Sequence, residues 1–146
     1  MQLKNHMRLV FDAQPENESF ARVTVSAFVA QLDPTIEEIS DIKTAVSEAV
    51  TNAIVHAYGE QGGDIEVEGM LREDGYLALS VRDHGCGIDD VSRAMQPFFT
   101  TQPEKERSGM GFAVMQSFMD TLRVESRAGE GTTVYMEKRI RTNDAQ

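Results

Sequence analysis

The stretch Arg82-Asp83-His84-Gly85-Cys86-Gly87-Ile88-Asp89-Asp90 follows directly on a run that alternates like a strand. A tight turn needs one glycine at most. Here an acid closes the strand and two glycines follow at two-residue spacing. Side chains absent at that spacing, beside a carboxylate, mean that something comes very close to the backbone. Whatever this chain folds into has to leave room at that strand end.

The segments around it read as one α+β domain. His6-Met7-Arg8-Leu9-Val10-Phe11-Asp12 alternates weakly, as a first strand near a sheet edge. Residues 15–32 place Phe20, Val23, Ala27 and Leu32 at helical spacing, with Phe28 beside them, and Asp33-Pro34 stops that helix. Thr35-Ile36-Glu37-Glu38 is a capping box, with Thr35 as N-cap and Glu38 three residues on. The long helix that follows gathers Ile39, Ile42, Val46, Ala49, Val50, Ala53 and Ile54 on one broad face and runs out near Tyr58-Gly59. DIEVEGML and YLALSVRD are strands joined by the turn REDG. A glycine-rich polar stretch then occupies roughly 83–108, and GMGFAVMQSFMD is a helix that opens on glycines. TLRVESR, the turn AGEG and TTVYMEKR form a second hairpin. This order predicts a sandwich: a mixed, mainly antiparallel sheet with helices on one face.

At 146 residues the chain suits one domain, 1–146, without repeats or linkers. No apolar run reaches the ~18 residues of a membrane span, and the N-terminus lacks a signal-peptide core, so a cytoplasmic location without a membrane partner is expected. Cys86 is the only cysteine, which excludes an internal disulfide framework and a multi-cysteine zinc site. The net charge of −10 argues against direct DNA binding. An acidic surface suits a basic partner such as a DNA-binding protein, although it also serves solubility.

Four pieces can carry chemistry. Glu48 and Asn52, four apart on the long helix, share a face beside the apolar stripe. Asn52 can offer a neutral oxygen to Mg²⁺, and Glu48 can orient or deprotonate an attacking hydroxyl. Asp83 can accept from an exocyclic amine such as that of adenine, while Gly85 and Gly87 let a flat base approach. Gly109 and Gly111 open a helix whose free N–H groups favour a phosphate chain, and the preceding TTQPEKERS can fold over a nucleotide as a lid. Thr132, after a glycine turn, can complete the adenine pocket. Each piece also has an ordinary structural reading: a helix-surface pair, an Asp-Gly turn, a solvated loop, a hairpin.

Together, in this order, the pieces resemble the GHKL ATPase/kinase superfamily. Its N-box is matched by Glu48 to Asn52, its G1 box by Asp83 to Gly87, and its G2 box by Gly109-Met110-Gly111. The resemblance implies a Bergerat-type ATP-binding sandwich, with ATP between helices and sheet under a lid at 100–108. It implies nucleotide contacts from Asn52, Asp83, Gly85, Gly87, Arg107, Ser108, Gly109, Met110, Gly111 and Thr132, Mg²⁺ on Asn52, and Glu48 as catalytic base. His84 and Cys86 fill variable positions of the G1 box, and His56 packs near the helix end.

ENESFARVTVSAFVAQLDPT, IKTAVSEAVTNAIVHAY and PFFTTQPEKERSGMGF are similar, more narrowly, to the bacterial anti-sigma serine kinases, nearest the branch of sporulating bacteria that restrains sigma F. That similarity implies a homodimer that holds the sigma factor from RNA polymerase and phosphorylates a serine of a small anti-anti-sigma protein with Mg·ATP. The SFAR stretch matches the helix on which such kinases meet both partners, which puts Arg22 at a shared contact. The general-stress branch of the same kinases and a sigma-binding module that holds ATP without transfer are the alternatives.

Overall fold

The computed structural model describes residues 2–58, 62–88, 91, 95 and 111–140. Strand β1 (Leu3–Asp12) leads into helix α1 (Glu16–Val29), which tightens into a 3₁₀ turn at Ala30–Leu32. Helix α2 (Ile36–Asn52) continues as a π-helical stretch, Ala53–Tyr58. Strands β2 (Asp64–Arg72) and β3 (Tyr76–Asp83) form a hairpin. After helix α3 (Gly111–Phe118) a second hairpin pairs β4 (Thr121–Arg127) with β5 (Gly131–Arg139).

The strands order as β1-β2-β3-β5-β4, so β1 is an edge strand as expected. The α+β sandwich read from the sequence is present, and every pairing in this sheet is antiparallel. Both hairpins require this. The two connections that are not hairpins carry helices: the first returns the chain to the end at which β1 stops, so β2 runs antiparallel beside it, and the second carries it to the opposite end, so β4 runs parallel to β3 with β5 between them.

Alternation puts one sheet face into the core. Ile65, Val67 and Leu71 of β2, Leu77, Leu79 and Val81 of β3, and Val134 and Met136 of β5 are all buried. Gly69 occupies the remaining inward position of β2. A Cβ there would lie 2.8 Å from the Phe28 ring, so the missing side chain is what lets α1 settle onto the sheet. The opposite face is polar, with His6 bonded to Glu68 and Arg8 to Glu66 across the β1–β2 ladder.

Helix α2 starts as expected. The Thr35 hydroxyl accepts from the Glu38 N–H, and the Glu38 carboxylate accepts from the Thr35 N–H. Ile42, Ala45, Val46, Ala49 and Val50 make its buried stripe, and α2 packs against both α1 and α3. The end of α1 is fixed by Asp33, whose left-handed φ of 52° turns the chain into Pro34.

Helix α1 corrects one expectation. Phe20, Val23 and Ala27 do not face the core; they are exposed. The buried stripe is Ala21, Val25, Phe28 and Val29, continued by Leu32 in the 3₁₀ turn. Both sets obey helical spacing, so periodicity could not choose between them. Packing on α2 and the sheet selects the face whose Phe28 ring fits over Gly69, and Phe20 instead sets its ring edge-on to Phe11, 6.3 Å between centroids.

Candidate functional site

Asp83 closes β3 on the inner face of the sheet, the same side as Val81 and Leu79. It is buried, at 7% exposure. Cross-strand register places it between Ile65 of β2 and Thr132 of β5. Its Oδ1 accepts from the Gly85 N–H at 2.9 Å and the Thr132 N–H at 3.2 Å. Burial pushes the carboxyl above its ordinary value of 3.8, and these two N–H donors oppose the shift. With Oδ1 engaged, the rest of the carboxylate is an acceptor at the boundary between sheet and helices.

The two glycines of the opening stretch divide their work. Gly85 supplies one of the N–H groups that hold Asp83. Gly87 has φ +77°, and a Cβ on it would lie 1.9 Å from the Arg127 carbonyl oxygen. Its missing side chain therefore lets the loop after β3 lie against the end of β4. Gly131 does the same from the other side: φ is +102° and a Cβ would lie 2.3 Å from the Asp83 carbonyl oxygen. The close approach read from the sequence is thus first of all an approach of backbone to backbone, which locks the β4–β5 turn onto the Asp83 loop. The Gly129 N–H donates to the Cys86 carbonyl at 2.5 Å across the same contact.

Asn52 is the last residue of α2 before the winding changes to π-helical, an irregularity that often marks functional sites. Its side chain lies against Gly111 at the start of α3. A Cβ on Gly111 would lie 2.9 Å from Asn52 Nδ2 and 3.1 Å from Oδ1. Glycine is required there for the helix start to reach the carboxamide. Glu48 lies one turn earlier on the same face of α2, and both residues are half-buried. The Cys86 thiol donates to the His56 carbonyl at 3.1 Å, which ties the Asp83 loop to the π-helical end of α2. The Asp83–Thr132 cluster and the Asn52–Gly111 cluster are thereby joined through one loop.

Arg107, Ser108, Gly109, Met110 and the 100–108 lid lie outside the described residues. Arg22 sits on α1, away from these clusters in sequence, with its Nε 3.2 Å from the Glu18 carboxylate and Nη2 3.4 Å from the Ser19 hydroxyl. Sequence reasoning missed Ser126. Its hydroxyl lies 2.7 Å from that of Thr132, donates to the Gly131 carbonyl and accepts from the Ile88 N–H. No local motif marks it; only the pairing of Ser126 with Thr132 in the second hairpin brings it there.

A five-stranded antiparallel sheet with helices on one face, a buried acid at the end of β3 paired with Thr132 and an asparagine at the end of α2 packed on the glycine that opens α3 is the arrangement of an ATPase domain. The model of the family described as histidine kinase-like ATPase domain matches residues 11–138. An anti-sigma F factor of Geobacillus kaustophilus is 57% identical over 143 residues, covering 98% of each chain. The chain belongs to this family of anti-sigma F factors. Two solved structures share the fold. The RsbU and RsbW domains of Rv1364c from Mycobacterium tuberculosis superpose with a TM-score of 0.69 at 23% identity, over 94% of this chain and 33% of that one. Full-length ShkA in complex with AMPPNP gives 0.59 at 17% identity, over 84% of this chain and 30% of that one.

Proposed function

We propose that this chain is an anti-sigma factor and an ATP-dependent protein serine kinase. It holds a sporulation sigma factor, sigma F, away from RNA polymerase. It phosphorylates a serine of a small anti-anti-sigma protein, and it acts in the cytoplasm as a homodimer of one domain per chain. The observation that carries the reading is the pairing of two clusters at one end of the sheet: Asp83 with Thr132, and Asn52 with Gly111. The relatedness to anti-sigma F factors and the nucleotide analogue in the ShkA structure support it.

Asp83, buried and already bonded on one oxygen, selects a base edge that brings donors, as adenine does. Asn52 provides one neutral oxygen, which fits Mg²⁺ held mainly by phosphates and water. When bound, the metal neutralises charge on the phosphates as the phosphoryl group moves. Asn52, at the end of α2 and against the start of α3, then positions the phosphate chain beside helix N–H groups, with Gly109, Met110, Ser108 and Arg107 proposed as its further contacts. Glu48, one turn before Asn52, accepts the proton of the attacking serine hydroxyl. Binding, orientation and one proton acceptor are most of what phosphoryl transfer asks of a protein.

The test is transfer of labelled γ-phosphate from ATP to the anti-anti-sigma protein, with phosphoamino-acid analysis of the product. Phosphoserine on that protein is expected. Tight ATP and sigma binding with no transfer would leave a sigma-binding module that holds ATP as a structural ligand.

A further inference from the structure

We propose that Ser126 sets the hydrogen-bond polarity of Thr132 and is therefore a positioning residue for base selection; this rests on the reading of the site as an ATP pocket. A serine hydroxyl has one proton and two lone pairs. Ser126 Oγ has three neighbours at hydrogen-bond distance: the Ile88 N–H at 2.8 Å, the Gly131 carbonyl at 3.0 Å and the Thr132 hydroxyl at 2.7 Å. The N–H can only donate and the carbonyl can only accept. All three contacts close at once only if Ser126 gives its proton to Gly131 and one lone pair to Ile88. The contact with Thr132 closes only if Thr132 donates. Its proton is then committed to Ser126, and Thr132 Oγ1 keeps acceptor capacity alone.

The consequence lies one bond away, at Asp83. The carboxylate is buried, cross-strand from Thr132 and bonded to its N–H. Both groups then present lone pairs to whatever lies beside them. A base edge that meets them directly has to bring donors, as the exocyclic amine of adenine does. If one water intervenes, it spends its protons on the two acceptors and offers the base only lone pairs, with the same preference. A hypoxanthine or guanine carbonyl at that ring position is disfavoured either way. Through the Ile88 bond Ser126 is also a strut between β4, the β4–β5 turn and the loop after β3.

Calorimetric titration of ATP and ITP into the full-length protein with Mg²⁺ tests the idea. The unmodified protein should prefer ATP. Ser126→Ala releases the Thr132 proton, so the ATP:ITP affinity ratio should fall by roughly tenfold, the worth of one ordinary hydrogen bond. Ser126→Thr keeps the hydroxyl and should restore the ratio. Mere loosening of the turn would weaken both nucleotides alike and leave the ratio unmoved, which would overturn the proposal. If Ser126→Ala does not fold, Ser126→Cys weakens the same bonds at similar size and must shift the ratio the same way, or the proposal fails. Absence of ATP binding by the unmodified protein would instead refute the ATP pocket itself.

Discussion

Asp83 and Thr132 face each other across the β3–β5 ladder, and the Thr132 N–H donates to the buried Asp83 carboxylate at 3.2 Å. The bond holds an ionisable acceptor where desolvation disfavours its charge. Without the two N–H donors, the carboxylate would be still harder to keep ionised.

Asp83→Asn tests this directly. The amide oxygen can still accept from Gly85 and Thr132, so the fold should survive. Its NH₂ would face the adenine amine, and ATP affinity should drop roughly 10- to 100-fold, as for a lost charged-group hydrogen bond. The pH dependence has opposite signs for stability and binding. Because burial raises the folded-state pKa, the Asp83 contribution to stability is largest below its ordinary value of 3.8 and is lost as pH rises through the raised value. ATP affinity, which needs the ionised acceptor, should instead fall as pH drops through that same raised value. Urea melts and calorimetry across pH, with Asp83→Asn flattening both profiles, check the two signs.

Asn52 and Gly111 should behave as one unit. Gly111→Ala forces its Cβ into the carboxamide, 2.9 Å from Nδ2. Asn52→Ala removes the same carboxamide. Each change should lower Mg-dependent ATP affinity by about tenfold or more. The pair should be non-additive by about 0.5–3 kcal/mol, since Asn52→Ala makes the space that Gly111→Ala needs. Additive losses in a double-mutant cycle would separate the two residues.

For Glu48→Gln, ATP and sigma binding should persist while single-turnover transfer falls by about 10²–10⁴-fold, the usual contribution of a general base. Near-normal transfer would remove Glu48 from that role.

At Gly87 the prediction concerns stability. Alanine would have to adopt φ +77° with its Cβ 1.9 Å from the Arg127 carbonyl oxygen. Backbone strain alone should cost about 1–3 kcal/mol, and the clash adds to it. A lowered urea midpoint is expected, with ATP affinity reduced as the turn lifts from the Asp83 loop.

Arg22→Ala should barely change stability, because a half-exposed pair with Glu18 is worth no more than about 1 kcal/mol. It should weaken capture of sigma, of the anti-anti-sigma protein, or of both, by about 2 kcal/mol if the guanidinium is a central contact. Unchanged titrations with both partners would reduce Arg22 to a solvated charge.

Local patterns determined much of this protein. The capping box at Thr35 and Glu38, the two hairpins and the acid at the end of β3 follow from interactions within a few residues, and these are legible in order along the chain. The order of motifs also singled out Asn52, Asp83 and Thr132, which the proposed function assigns to one site. What tertiary structure alone decided is which of two equivalent faces is used and which residues meet. Helical spacing allowed either face of α1; packing buried Ala21, Val25 and Phe28, the last over Gly69, and left Phe20 and Val23 exposed. Gly87 is legible as a glycine, but its reason, the Arg127 carbonyl, stands 40 residues away on another strand. Ser126 carries no signal at all until β4 pairs with β5, because the polarity of a hydroxyl depends on the donors and acceptors that packing brings to it.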